Sequence, residues 1–388
     1  MSRLTLRWGS VVLVVAMIAC LIIPAAAWAQ IKTTHIGDGY PNLGQGVRPL
    51  GMGNAFLTME GTDENALFYN PAALDDFDKN WRYGTFLIPG VYFNKGLIKT
   101  VKDVLDMGDA LDTSGSSTGD IQAFQDFFGK HVGEFQNVSL KMPLFSMIRK
   151  GWGGGILVDS RTTFAMRGST ATPNVELRSR SDAGVVLAKS VGLLGNDLAV
   201  GVLVKGLYRL YRDRILVTSD FVGNSSLNDL IGYKTWGKAF GIGGDIGIRY
   251  KLPVSGVNPA VAVVYQDIGR TRFFGTDTDD TPQVLSAGVG IHPELGDFGT
   301  SVEVSMTDLT QRRDLMTRLH AGAELRFPWF GVIRPSLRAG MNQGYPTGGF
   351  SLDFKKVRFD GAFYGEEVGE TSRQGKAYKF AAEMSVYF

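Results

Sequence analysis

The chain has 388 residues, of which 50 are Gly, 24 Phe, 13 Tyr and one Cys, and its 40 basic side chains nearly balance 38 acidic ones. That balance excludes nucleic acid as a bulk partner, and a lone cysteine excludes a disulfide framework or a thiolate metal site. Abundant glycine and aromatic residues favour strands joined by tight turns.

Residues 1–29 have the layout of a cleaved secretory signal. Arg3 and Arg7 give a basic start, Val11 to Ile23 an apolar core, and Pro24 a break. Ala27-Trp28-Ala29 then supplies the small residues that precede cleavage before Gln30. The apolar run is shorter than the roughly 20 residues that span a bilayer, which argues against an anchor. Met17-Ile18-Ala19 ahead of Cys20 is a poor lipobox. Cleavage would remove the only cysteine and bring the formal charge from +2 to zero. No later apolar stretch is long enough for a spanning helix, so the exported chain is either a soluble periplasmic protein or a barrel.

Residues 30–80 do not alternate. They contain Arg48-Pro49-Leu50-Gly51-Met52-Gly53-Asn54-Ala55-Phe56, then Asp63-Glu64-Asn65-Ala66-Leu67-Phe68-Tyr69-Asn70-Pro71-Ala72-Ala73-Leu74. Gly51 and Gly53 permit close backbone approach or positive φ. Asn70-Pro71 is a turn or helix-start signal, because Pro needs no N–H partner there.

From residue 81 the chain alternates with a period of two. A first strand is predicted near 82–93, followed by an insertion over 96–135 with apolar residues at helical spacing. Leu97, Ile98, Val101, Val104, Leu105 and Leu111 define one amphipathic helix; Ile121, Phe124, Phe127, Phe128, Val132 and Phe135 define a second. A Ser/Gly-rich break at 113–119 separates them. They are expected to bury apolar faces against each other and the barrel, and a greasy capture surface is a compatible second expectation. Strands follow near 136–149, 152–166, 175–190, 197–213, 236–252, 259–268, 283–292, 298–308, 317–329, 332–342, 347–354, 356–365 and 376–388. In the strand over 236–252, Trp236, Phe240, Ile242, Ile246, Ile248, Tyr250 and Leu252 take one face, and Gly241, Gly243, Asp245, Gly247, Arg249 and Lys251 the other.

Several strands run well past the 5–6 residues usual in soluble proteins. An apolar-out, small-or-charged-in pattern of this length is that of a transmembrane barrel. The predicted fold class is therefore all-β: a transmembrane antiparallel β-barrel of about 14 strands over 81–388. Short connections follow even-numbered strands and long polar ones follow odd-numbered strands, as periplasmic turns and external loops do. Lys205, Arg209, Arg249, Arg326 and Arg338 are predicted lumen charges, paired with acidic residues such as Asp63 and Glu64 or attracting a carboxylate head. Fourteen strands enclose more space than wall side chains fill, so residues 30–80 are predicted to plug the lumen.

The last strand alternates Tyr378, Phe380, Ala382, Met384, Val386 and Phe388 with Lys379, Ala381, Glu383, Ser385 and Tyr387. It resembles the C-terminal assembly signal of outer-membrane proteins, with Phe380, Val386 and Phe388 as its apolar positions. That likeness implies the barrel assembly machinery as a partner. The stretch from Arg48 through Gly51, Gly53, Asn70, Pro71 and Ala72 to Leu74 resembles the N-terminal hatch of the FadL-type outer-membrane transporters of hydrophobic compounds. It is equally similar to the wider superfamily that includes PorV-like barrels. The resemblance implies a hatch that shifts to admit a hydrophobic small molecule, such as a long-chain fatty acid or hydrocarbon, or alternatively a barrel serving protein secretion or surface attachment. It further implies a monomer surrounded by outer-membrane lipid and lipopolysaccharide.

Catalysis finds little support. His35, His131, His292 and His320 show no ligand spacing, and there is no G-x-S-x-G elbow. Asp277, Asp279 and Asp280 lack the Gly and Glu of a calcium loop, and Gly51-Met52-Gly53 lacks the third glycine of a dinucleotide site. No catalytic residue, metal site or cofactor is predicted; only a lumen-facing His292 or His320 beside a serine could serve as a base.

Overall fold

The computed structural model describes residues 43–94, 99–100, 102–103, 106, 117–132, 135–168, 173–217, 236–275, 278–310, 314–367 and 376–387. The predicted signal peptide, the start of the hatch, most of the first inserted helix and Phe388 lie outside these residues. Among the described residues there are sixteen strands. They are β1 Arg82–Asn94, β2 Phe135–Arg149, β3 Trp152–Gly168, β4 Pro173–Leu193, β5 Leu198–Val217, β6 Gly237–Lys251, β7 Pro259–Gln266, β8 Arg272–Gly275, β9 Val284–Ile291, β10 Glu294–Leu295, β11 Phe298–Met306, β12 Leu319–Arg326, β13 Arg334–Asn342, β14 Tyr345–Asp353, β15 Val357–Glu367 and β16 Lys376–Tyr387.

Neighbouring strands pair antiparallel, β9 pairs with β11, and β1 closes the ring on β16 from Gly84↔Tyr387 to Asn94↔Lys379. Fourteen positions complete the circle, because β8 and β10 do not add to it. Strand β8 pairs with β6 beyond β7, so β7 and β8 are two halves of one wall strand. The predicted strand over 259–268 is β7, and the wall strand resumes beyond it as β8 after an interruption where Asp267, Gly269 and Arg270 adopt φ of 51°, 68° and 75°. Strand β10 only tightens the turn into β11. Closure removes every sheet edge, the condition for placing strands in lipid.

Burial is inverted relative to a soluble protein. Leu187 is 70% exposed and Val204 59%, whereas Arg249 and Glu303 are each 1% exposed. Along β5 the alternation puts Val202, Val204 and Tyr208 outside and Ala199, Gly201, Lys205 and Arg209 inside. Leu203 and Leu207 are also buried on the inner face, Leu203 within an apolar cluster. The outward apolar band and closed ring make this a transmembrane barrel of the outer-membrane type. Phe380 is exposed on the outer face of β16, and Val386 is half-buried.

Turns at one end are short: Lys150 and Gly151, 194–196, and 354–356. At the other end β3, β4 and β5 run to 17, 21 and 20 residues, far beyond the ~9–11 that cross a bilayer. There the second predicted helix is present as Ser117–His131, and it buries Phe127 and Phe128 against Met166, Val175 and Leu216 of those strands.

Candidate functional site

Residues 43–80 fold inside the ring as short helices, Val47–Gly51 and Asn65–Tyr69, and a 3-10 turn, Pro71–Asp76. Asn70 organises the turn: its Oδ1 accepts from Ala72 N at 3.0 Å and its Nδ2 donates to the Leu57 carbonyl at 2.8 Å. Pro71 fills the first helical position, where a missing N–H costs nothing. Gly53 has φ +66°, and a side chain there would run into the backbone of Ala321 and Met341. Gly53, Asn70, Pro71 and Ala72 thus each have a local structural role.

The wall leaves room for this plug. A Cβ on Gly322 would lie 2.0 Å from the Met52 carbonyl, and one on Gly201 2.3 Å from the Pro71 carbonyl carbon. Inward glycines at these positions are therefore a footprint of the plug, which alternation alone did not disclose.

One side of the plug is ionic. Arg48 forks onto Glu324 (2.8 and 2.6 Å) and reaches Asp63 at 2.6 Å. Arg338 bridges Glu324 (2.7 Å) and Asp360 (3.1 Å), and Arg358 bridges Asp360 (2.7 Å) and Asp63 (3.2 Å). Six alternating charges thus form a closed ring joining the plug to β12, β13 and β15. Arg358 also holds Glu64 at 3.0 Å, and the Tyr387 hydroxyl donates to the same carboxylate. Burial would raise the Asp63 carboxyl, but Arg48 and then Arg358 outweigh it and hold the group below the usual range. Glu64 is shifted up instead, because burial is only partly offset by Arg358.

Further anchors surround the plug. Glu303 accepts from Leu57 N (2.6 Å), Thr58 N (2.8 Å) and the Thr58 hydroxyl (2.7 Å). His320 Nδ1 donates to the Gly53 carbonyl at 3.1 Å, which leaves Nε2 to accept from Thr307 at 3.0 Å. Arg249 pairs with Asp76 and donates to the Met59 carbonyl at 2.9 Å, and Lys251 adds a 2.7 Å contact to Asp76. The two cations outweigh burial and lower the Asp76 carboxyl. With Arg82→Thr62, Lys141→Gln45, Ser190→Ala72, Gln266→Phe68 and Thr347→Gly51, hydrogen bonds reach the plug from most of the circle. Close packing supplies the rest, at Gly153, Gly201, Gly290 and Gly340.

The opposite side is apolar. Met52, Phe56, Leu67, Phe68 and Leu74 of the plug pack with Ile148, Leu157, Val186, Ala188 and Leu203 of β2 to β5. Burial of each large side chain here contributes roughly 1.5–3 kcal/mol.

The predicted lumen cations divide by partner. Only Arg249 meets an acidic plug residue, and that residue is Asp76. Arg338 and Arg326 serve Glu324, the latter at 3.4 Å. Lys205 lies between Asp245 (2.9 Å) and Asp267 (2.7 Å). Arg209 pairs with Asp182 (2.7 Å), covers the Phe273 ring and donates to the Asp279 carbonyl at 2.9 Å. Asp63 and Glu64 fall to Arg48 and Arg358, since the plug is seated toward β12–β16. Glu303, Glu324 and Arg358, which anchor the plug directly, were not among the predicted site residues.

His292 Nδ1 lies 3.0 Å from Ser301 Oγ. Its other ring nitrogen has no carboxylate or amide partner among the described residues, so the orienting third member of a triad is not built. Asp280 accepts from Phe273 N at 3.0 Å, which gives that acidic loop a structural contact. No group of three or more potential metal ligands occurs among the described residues.

Fold and site together define a plugged transmembrane β-barrel. No protein-family model and no curated protein matches the chain. Among solved structures it is similar to a ΔS2 mutant of the TodX monoaromatic hydrocarbon channel, with TM-score 0.49 and 13% identity over 90% of this chain and 99% of that one. It is also similar to the P. putida toluene transporter TodX, with TM-score 0.42 and 13% identity over 90% and 97%. The Escherichia coli outer membrane phospholipase A gives TM-score 0.29 and 11% identity over 54% and 80%.

Proposed function

We propose that the chain is an outer-membrane channel for uptake of hydrophobic small molecules, such as long-chain fatty acids or hydrocarbons. The observation that carries this reading is the asymmetry of the plug. Its β12–β16 side is fastened by a closed ring of charges, and its β2–β5 side by an apolar seam. The apolar body of such a solute gains nothing from the ionic side, but the seam can exchange protein–protein apolar contact for protein–solute contact. An apolar molecule also crosses the polar lipopolysaccharide layer poorly, so a protein route desolvates it in advance. Short turns then face the periplasm and long loops the exterior.

The test is uptake of a labelled fatty acid and a labelled aromatic hydrocarbon by a deletion strain, complemented with the natural chain or with Leu203→Lys. Loss of uptake on deletion, rescue by the natural chain and none by a folded Leu203→Lys barrel are expected. A second reading is a PorV-like role in secretion or surface attachment, favoured by the tall β3–β5 wall and its helix, which stand clear of the bilayer. Normal uptake with lost surface display of secreted proteins would replace the first reading by the second.

A further inference from the structure

At the short-turn end, below the plug, lies a cavity of about 620 Å³ bounded by the turns at 327–333 and 354–356. Eight Lys and Arg side chains line it against three carboxylates, Asp78, Glu324 and Asp353. Three of the cations, Arg48, Arg338 and Arg358, belong to the charge ring and are balanced there by Asp63, Glu324 and Asp360. The others are Arg82, Arg326, Arg334, Lys355 and Lys356. Beyond the ring the lining adds the carboxylates of Asp78 and Asp353, and Arg358 holds Glu64 as well, so two positive charges remain in excess.

The remaining contacts of these cations are weak or neutral. Arg82 donates to the Thr62 carbonyl at 3.2 Å and Arg334 to the Phe327 carbonyl at 3.2 Å. Among the described residues Arg326 has only its 3.4 Å approach to Glu324, a carboxylate already held by two other guanidinium groups. No ion pair involves Lys355 or Lys356 among the described residues. Aromatic rings alternate with the cations: Phe77 under Arg82, Trp329 beside Arg334 and Tyr387 beside Arg358. Trp81 and Trp329 are 38% and 42% exposed, so the cavity opens to solvent between them.

We propose that this cavity is a binding site for a phosphate monoester carried on a small apolar body. A phosphate monoester bears about −1.5 to −2 charges at neutral pH, which matches the local excess, whereas a carboxylate would neutralise only half of it. Guanidinium forks suit its oxygens, and the aromatic rings take the apolar part. The site needs no movement of the plug and stands apart from the proposed route for apolar solutes.

The test uses the full barrel in a neutral detergent, titrated calorimetrically with phenyl phosphate, inorganic phosphate, benzoate and benzyl alcohol. Phenyl phosphate is expected to bind most tightly, with affinity falling as salt rises. Replacing Lys355 and Lys356 together by Gln, in an exposed turn away from the plug anchors, should weaken it by about tenfold or more while the barrel stays folded. Arg334→Gln gives an independent second variant with the same expected direction. Equal binding of benzyl alcohol, or unchanged affinity in both variants, would overturn the site. Equal binding of inorganic phosphate would overturn the apolar body, and equal binding of benzoate the requirement for two charges. Failure of the uptake assay leaves each of these outcomes unaffected.

Discussion

Arg48 and Glu324 meet through two hydrogen bonds of 2.8 and 2.6 Å across 276 residues of sequence, both side chains being buried. That pair fixes the plug to β12 and opens the charge ring that continues through Arg338, Asp360 and Arg358. Breaking it leaves Arg48 and Arg338, both buried, competing for fewer carboxylates. Removing one partner of a buried pair costs about 3–5 kcal/mol. Glu324→Gln should therefore lower the midpoint of urea unfolding in detergent. It should also make a cysteine at Ala55, fully buried in the natural plug, react with maleimide in the folded barrel. An unchanged midpoint with an unreactive cysteine would show that the pair does not hold the plug.

Gly322 should be intolerant of any side chain, because the obstruction is the Met52 backbone and not a flexible side-chain end. Gly322→Val is expected to displace the plug and raise single-channel conductance in a planar bilayer. Ala323→Val, one residue along on the exposed face, is the control and should leave conductance unchanged.

Acid should loosen the plug at Asp76. Its carboxyl is depressed in the folded protein, so the stabilisation is fully present above the ordinary value of 3.8 and is lost as pH falls through the lower native value. Thermal unfolding in detergent should therefore keep its midpoint from neutral pH to mildly acidic pH, then fall. In Arg249→Gln, which removes one of the two cations facing Asp76, the natural chain's advantage should shrink as pH drops. A constant gap between the two proteins at all pH values would refute this assignment.

Arg209 ties the connection after β8 down to the wall, through Asp182, the Asp279 carbonyl, Thr281 and the Phe273 ring. Arg209→Ala should expose that connection to added protease at rates well above those of the natural chain. The heat-modifiable mobility of the barrel on gels should persist, because none of the ring-closing pairings depends on Arg209. Cleavage at the natural rate would show that other contacts hold the segment.

Alternation made the barrel legible, and it did so strand by strand. The expected strand over 236–252 is β6 at Gly237–Lys251, and the expected strand over 376–388 is β16 at Lys376–Tyr387. A two-residue period reports which face a side chain takes, and burial inside or exposure to lipid enforces that report on every strand. It does not report which inward charge meets which. Arg358 and Asp63 are 295 residues apart, and Glu303 reaches Leu57 across 246. Nothing local to Asp63 marks Arg358, rather than Arg326 or Arg338, as its partner. The break between β7 and β8 was hidden for a different reason: Gly269 reads as one turn residue, whereas Asp267 and Arg270 on either side of it also adopt positive φ, which their residue types do not announce.

The encircled plug also bears on how the molecule is built. Strand β1, which follows the plug directly, makes its last pairing with β16, and Tyr387 near the end of that strand also grips Glu64. The girdle of wall strands has gaps moulded to a backbone that must already be in place when the seam shuts. The N-terminal segment thus acts as a mandrel, around which a cylinder of fixed circumference is wrapped and then fastened. Its sequence carries the dimensions of the finished tube.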